Sequence, residues 1–328
     1  MVDVSRRVRI AWLLVGGLLM SLGAGAQDAA KDYPNRPIKF IVPYPPAGGT
    51  DIVARTLTEP LAALLGQSII VDNRGGAAGT IGTDLAAKAA PDGYTVLFTL
   101  SSHTINPKLY DKLPFDVEKD FAPISLAAMI PQVLAVNPDV PVHNVKELIA
   151  LARAQPGKLN YASVGTGSPA HIAGELFKLK TGIDMVHVPY KGGGPAVTAA
   201  LGGQVQLLIV SLPAALQYVK AGRLRALAVT SEARSVAAPD IPTITESGVD
   251  CVVNSWYGAL APVKTPPVIV ARLQGAFAKV LATPEIQQKL LAQGAEATSS
   301  TSVEFDRVIK DELAKWDYVI HEAKIKPE

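Results

Sequence analysis

Two periods alternate along the chain. Short β-branched and aromatic runs bounded by Gly, Pro, Asn or Asp, such as IKFIV, SIIVDN and YTVLFTL, predict strands. Between them the apolar positions recur every three to four residues. Ile52, Leu57, Leu61, Leu64 and Leu65 share one face of a helix predicted from Asp51, with Gly66 as its stop and a kink expected at Pro60. The turn PDG precedes the third strand, and a long apolar stretch, APISLAAMIPQVLAVNP, carries the chain into a second unit of the same kind.

In that second unit NVKELIALARAQ, SPAHIAGELFKLKTG, GGPAVTAALGG and PAALQYVKAG read as helices. KLNYASV, DMVHVPY, VQLLIVS and LRALAVTS read as strands. NSWYGALAPV returns to a helical tail, in which Pro266 and Pro267 open one helix and Thr283 and Pro284 the next. The last helix starts at a capping box, Thr301 to Glu304, and is expected to bury Phe305, Ile309, Leu313, Trp316 and Ile320. Alternating strands and helices define an α/β class. Two crossings, near Val133 and Tyr257, give two lobes with a cleft between them: residues 27–132 plus 258–328, and residues 133–257.

Composition narrows the role. Arg6, Arg7 and Arg9, an apolar centre and the AGA of Ala24 to Ala26 form a cleavable export leader, residues 1–26, which predicts a periplasmic protein. The twin arginine leaves the export route open. The mature chain of about 300 residues is enough for two ordinary domains. A formal charge of +2 with no basic cluster argues against nucleic acid. Cys251, the single cysteine, sits in an apolar strand-like run and reads as a core residue.

The chemistry lies where strands pass through glycines into helices: PPAGGTD, DNRGGAAGTIG and SVGTGSPAH. The first N–H groups of a helix have no internal partner and carry partial positive charge, and glycines let an anion approach them. Ser168 is placed to cap its helix with Pro169 at the first position, and His171 faces outward. His103, in the loop SSHTINP, is a second candidate for the cleft wall. Asp51 suits a helix start and can brace its own loop. Walker, G-x-S-x-G and metal-ligand patterns are missing, and the looser dinucleotide match in GTGSPA is broken by Pro169. The expectation is therefore a binding protein with no cofactor, no metal and no catalytic residue. An α/β reductase or hydrolase is the less favoured alternative.

These segments resemble the Bug-type periplasmic solute receptors of tripartite tricarboxylate transporters. YPNRPIKFIVPYPPAGGTDIVAR, GQSIIVDNRGGAAGTIG, NYASVGTGSPAHIAGELF and HVPYKGGGPAVTAALGGQV carry the likeness, which covers nearly the whole mature chain. The resemblance implies a type II binding-protein clamp, or Venus flytrap, that holds one ligand carboxylate by main-chain groups and water. Carried over, the first lobe supplies Tyr44, Ala47, Gly48, Gly49, Thr50 and Asp51, with Ser102 and His103 nearby. The second supplies Ser163, Gly165, Thr166, Gly167, His171 and Tyr190. Many relatives have acids where this chain has Gln206 and Val210, so Val210 at the cleft end of its strand is expected to disfavour an amino group on the ligand. The implied partners are a small carboxylate and membrane permease subunits, with the receptor itself a monomer. A sensor subunit presenting its closed form to a membrane receptor is the alternative.

Overall fold

The computed structural model describes residues 32–322 and Ile325; the leader, residues 1–26, lies outside them. Its axis is the 16-residue strand β4 (Phe121–Val136). From Phe121 to Pro131 this strand pairs antiparallel with β9 (Asn254–Pro262). From Gln132 to Val136 it pairs instead with β7 (Leu207–Ser211) and β8 (Arg225–Val229). One strand thus serves two sheets.

The first sheet runs β2 (Ile69–Asn73), β1 (Ile38–Val42), β3 (Thr95–Leu100), β9, β4. The second continues β4, β7, β5 (Asn160–Ser163), β6 (Val186–Pro189). β1 is parallel to β2 and β3, and β5 to β6 and β7, while β9 runs antiparallel to both its neighbours. β10 (Glu296–Ala297) adds a short edge to β4. Parallel strands covered on both faces need near-continuous apolar runs, which VLFTL supplies and IKFIV supplies apart from the exposed Lys39.

Helices α1 (Gly49–Leu65) and α2 (Thr80–Ala87) follow β1 and β2, and α3 (Ser102–Leu109) follows β3. α1 passes through Pro60 as a single helix. Four helices belong to the second unit: α4 (Val145–Ala154), α5 (Pro169–Thr181), α6 (Gly193–Leu201) and α7 (Leu212–Lys220). The tail forms α8 (Pro267–Leu281), α9 (Pro284–Ala292) and α10 (Ser302–Glu322). The first core stacks Phe40 between Phe98 and Phe277, each ring pair 6.1 Å apart.

α10 straps the halves together. Phe305, Ile309 and Leu313 pack with Trp256 and Leu97, whereas Trp316, Val319 and Ile320 pack with Leu134 and Ile209. Its capping box forms as the spacing predicts. The Glu304 N–H donates to the Thr301 hydroxyl at 3.2 Å, and the Thr301 N–H to the Glu304 carboxylate at 2.8 Å. Cys251 is fully buried, and burial pushes its thiol up to about 12.

SSHTINP departs from expectation. It is the helix α3, even with Pro107 inside, and not a loop. Ile105 and Leu109, four residues apart, are drawn into the second apolar cluster, and that tertiary burial outweighs the local propensity of a Ser, Asn and Pro run.

Candidate ligand-binding cleft

The β1–α1 loop is held by Asp51. One carboxylate oxygen accepts the Ala47 N–H at 2.9 Å; the other accepts from Arg55 at 2.9 Å and from the Asn73 amide at 3.0 Å. The same Asn73 amide group donates to the Tyr44 carbonyl at 3.0 Å. Ala47 is thereby fixed at φ +65, a left-handed conformation unusual for a residue with a Cβ. Asp51 is committed to its own loop, and the loop presents the Gly48–Gly49 backbone outward.

The second unit meets it there. A Cβ on Gly192 would lie 2.8 Å from Pro45, and one on Gly48 would lie 3.7 Å from the Gly193 nitrogen. Between the two loops is a small inner chamber with a cavity volume of about 20 Å³, room for about one water molecule. Gly48, Gly193 and Ser211 lie in its wall. They mark the starts of α1, α6 and α7, none of which has a side-chain cap on its N-cap. Helix starts from both units therefore meet at one space, where the first N–H groups of a helix have no partner within it. Thr50, Gln132, Ser255 and Tyr257 complete the polar lining, which among the described residues includes no charged side chain. The Tyr257 hydroxyl is buried beside Ser211 and Thr50 without a well-formed hydrogen bond, and burial holds the phenol far above its usual range, as a neutral donor. Ser255 is tied to Ser101 at 2.8 Å.

Tyr44 and Val164 also line a second, outer chamber with a cavity volume of about 310 Å³. One wall is the Gly76–Gly79 loop, in which Ala77 and Ala78 have φ +47 and +51. The Ala78 carbonyl accepts from the Asn106 amide at 3.2 Å and the Tyr44 hydroxyl at 3.4 Å, which pins the loop. Opposite lie Gly165, Thr166, Tyr190 and Lys191. A larger open groove, about 580 Å³ over Pro107, Phe115 and Leu313, shares only Tyr110 with this chamber.

The predicted residues separate accordingly. Tyr44, Gly48, Gly49 and Thr50 line the inner chamber; Gly165, Thr166 and Tyr190 line the outer one. Ala47 and Asp51 stand behind as framework, and Ser102 is buried beside Tyr44. Ser163 and His171 brace the second loop from below. The Gly167 N–H donates to His171 Nδ1 at 3.2 Å, and His171 stacks on His187 with ring centroids 3.9 Å apart. His187 Nε2 lies 2.6 Å from the Ser163 hydroxyl. Burial lowers His171 to about 4 and His187 to about 3, so both are neutral supports. His171 is buried, contrary to the outward orientation expected for it.

Two residues fall away from the cleft. His103 packs edge-on to Phe121 and parallel to Phe115, and burial lowers it to about 4. Val210 is buried in the apolar core of the second unit. The neighbouring Ser211 faces the chamber instead, because side chains alternate along a strand. Gln132, Ser211 and Ser255 carry no site signal in the sequence, and Tyr257 is marked there only as a crossing between the lobes. Gly193 had a visible signal, the glycine run of YKGGG ahead of a helical pattern.

Two lobes meeting at a cleft lined by helix starts without side-chain caps give the type II binding-protein fold. Residues 53–325 match the TctC family, described as the tripartite tricarboxylate transporter family receptor, and the chain belongs to that family of periplasmic receptors, which are not enzymes. BugT of Bordetella pertussis is 39% identical over 318 residues, 95% of this chain and 98% of BugT. A solved R. palustris protein with adipate is 36% identical with a TM-score of 0.88, covering 90% of this chain and all of that one. MatC from Rhodopseudomonas palustris with bound malate is 30% identical with a TM-score of 0.83, over 88% of this chain and all of MatC.

Proposed function

We propose that the chain is an exported receptor that captures a small carboxylate in the cleft between its two lobes, with the acid group against the inner chamber, and offers its closed form to membrane permease subunits of a tripartite tricarboxylate-type transporter. The observation that carries this reading is the convergence of three uncapped helix starts and the Tyr257 hydroxyl on a space without a charged side chain. Amide N–H groups suit a carboxylate, and they spare the empty cleft the cost of burying an arginine. The adipate and malate complexes of the two relatives support the same ligand class.

Selectivity lies in the chamber linings, since Val210 is buried in the apolar core of the second unit. Neither lining contains an acidic side chain, so an α-ammonium would find no charged partner. Di- and tricarboxylates, or acids with an uncharged tail, are favoured over aspartate and glutamate.

Thermal shift of the purified monomer with adipate, malate, citrate, benzoate, aspartate and a neutral sugar tests the proposal. A hundredfold excess over Kd adds about 2.7 kcal/mol of stability, so a true ligand raises the melting temperature visibly. Silence from every carboxylate would defeat it; tight aspartate binding with the others inert would defeat the selectivity. Secretion from a bacterial host with loss of the first 26 residues, read by intact mass, tests the export leader.

A further inference from the structure

We infer that His171 is a specificity-determining residue: it holds the cleft loop of the second unit with a neutral acceptor where helices ordinarily use an acid, and that neutrality lets the loop face an anion. This rests on the carboxylate-receptor reading above and names a positioning residue that enforces it. In three helices the third residue reaches back four positions to the N–H ahead of the cap. Asp51 of α1 accepts from Ala47 at 2.9 Å, Glu147 of α4 from His143 at 2.7 Å, and His171 of α5 from Gly167 at 3.2 Å. A carboxylate is the usual occupant, because it also suits the positive end of the helix dipole. Of the three, α5 alone uses an imidazole.

Charge near the cleft accounts for the difference. α4 supplies no residue to either chamber, and its Glu147 stands exposed to solvent. α1 starts in the wall of the inner chamber, and there Asp51 has a counter-ion: Arg55, one turn along, donates to it at 2.9 Å. The loop before α5 shares that wall through Val164 and Pro169, and also lines the outer chamber with Gly165 and Thr166. One turn along from His171 is not a base but Glu175, which accepts from the Tyr161 hydroxyl at 2.7 Å and pairs with Lys178 at 2.9 Å. An acid at position 171 would therefore lie behind the loop beside a second carboxylate, with no free counter-ion, and would repel an anion in the cleft. The imidazole accepts the same N–H without that charge. Accepting through Nδ1 places the ring proton on Nε2, and burial opposes a second proton.

Isothermal titration with adipate, malate, citrate, benzoate and aspartate, on the parent and on variants, tests this. His171→Leu removes the acceptor and is expected to weaken each acid that binds the parent by about tenfold. His171→Asn, whose Oδ1 takes the place of Nδ1, should return affinity to within about threefold of the parent. The isosteric His171→Asp should not, although its carboxylate satisfies the same N–H. In the first unit, Arg55→Met should uncover Asp51 and weaken binding about fivefold, and adding Asp51→Asn should recover most of the loss. Arg55 is exposed, so this pair answers the charge question even where position 171 tolerates no change. Long-range ¹⁵N–¹H correlation spectra of the ligand-free protein should show His171 as the neutral Nε2–H tautomer. His171→Asp binding as tightly as His171→Asn, His171→Asn binding no better than His171→Leu, Arg55→Met leaving affinity unchanged, or a ring protonated on Nδ1 overturns the inference and leaves the receptor reading standing. Failure of all five acids to bind the parent protein overturns both.

Discussion

Gly49 is the tightest point of the cleft. A Cβ there would lie 2.3 Å from both the Ser211 and the Tyr257 hydroxyl oxygens. Gly49→Ala is therefore expected to hold the loops apart at an overpacking cost of about 1–3 kcal/mol, weakening ligand binding at least fivefold by titration calorimetry. The buried histidines act at the same scale but on stability. His103, His171 and His187 fall from 6.5 to about 4, 4 and 3 because burial disfavours the imidazolium. The folded chain thus binds fewer protons than the unfolded one. Their contribution is complete above pH 6.5 and drains away as pH falls towards 4. The melting temperature should decline over that window in a scan of buffers, and His103→Phe should flatten the decline while leaving ligand affinity within about twofold, because the ring lies between phenylalanines.

Helix α10 carries the opposite dependence. Glu312 accepts from the Thr104 hydroxyl at 2.7 Å and the Trp256 indole at 2.8 Å, joining α3, β9 and α10 where the two cores meet. Desolvation raises this carboxyl above 4.5 despite those donors. A raised acid stabilises the fold at low pH and loses that contribution as pH climbs through its folded value. The difference in melting temperature between Glu312→Gln and the parent should move in favour of the variant from acid to neutral pH. Elements such as α10 and α5 were readable because their signals are local: a capping box in one, Ser168 and Pro169 in the other. The α3 helix was not, since Ile105 and Leu109 earn their helical turn only from a core contributed by distant strands. The site divides in the same way. Glycine junctions announce themselves, whereas Ser211, Ser255 and Gln132 are ordinary strand residues until topology places their ends together, and a one-residue error in facing exchanges Ser211 for Val210.

At the scale of the whole molecule, the decisive feature is that β4 changes sheets at Pro131–Gln132 without ending. Separate linkers would let each half melt on its own. Here, fraying either half strips hydrogen bonds from a ribbon that the other half also needs, and α10 clasps both cores besides. Differential scanning calorimetry should record one endotherm, with or without bound acid; two resolved peaks would contradict it. The shared ribbon thus makes heat damage all-or-none: the receptor is lost as a unit, and no orphaned half outlives it to compete for solute.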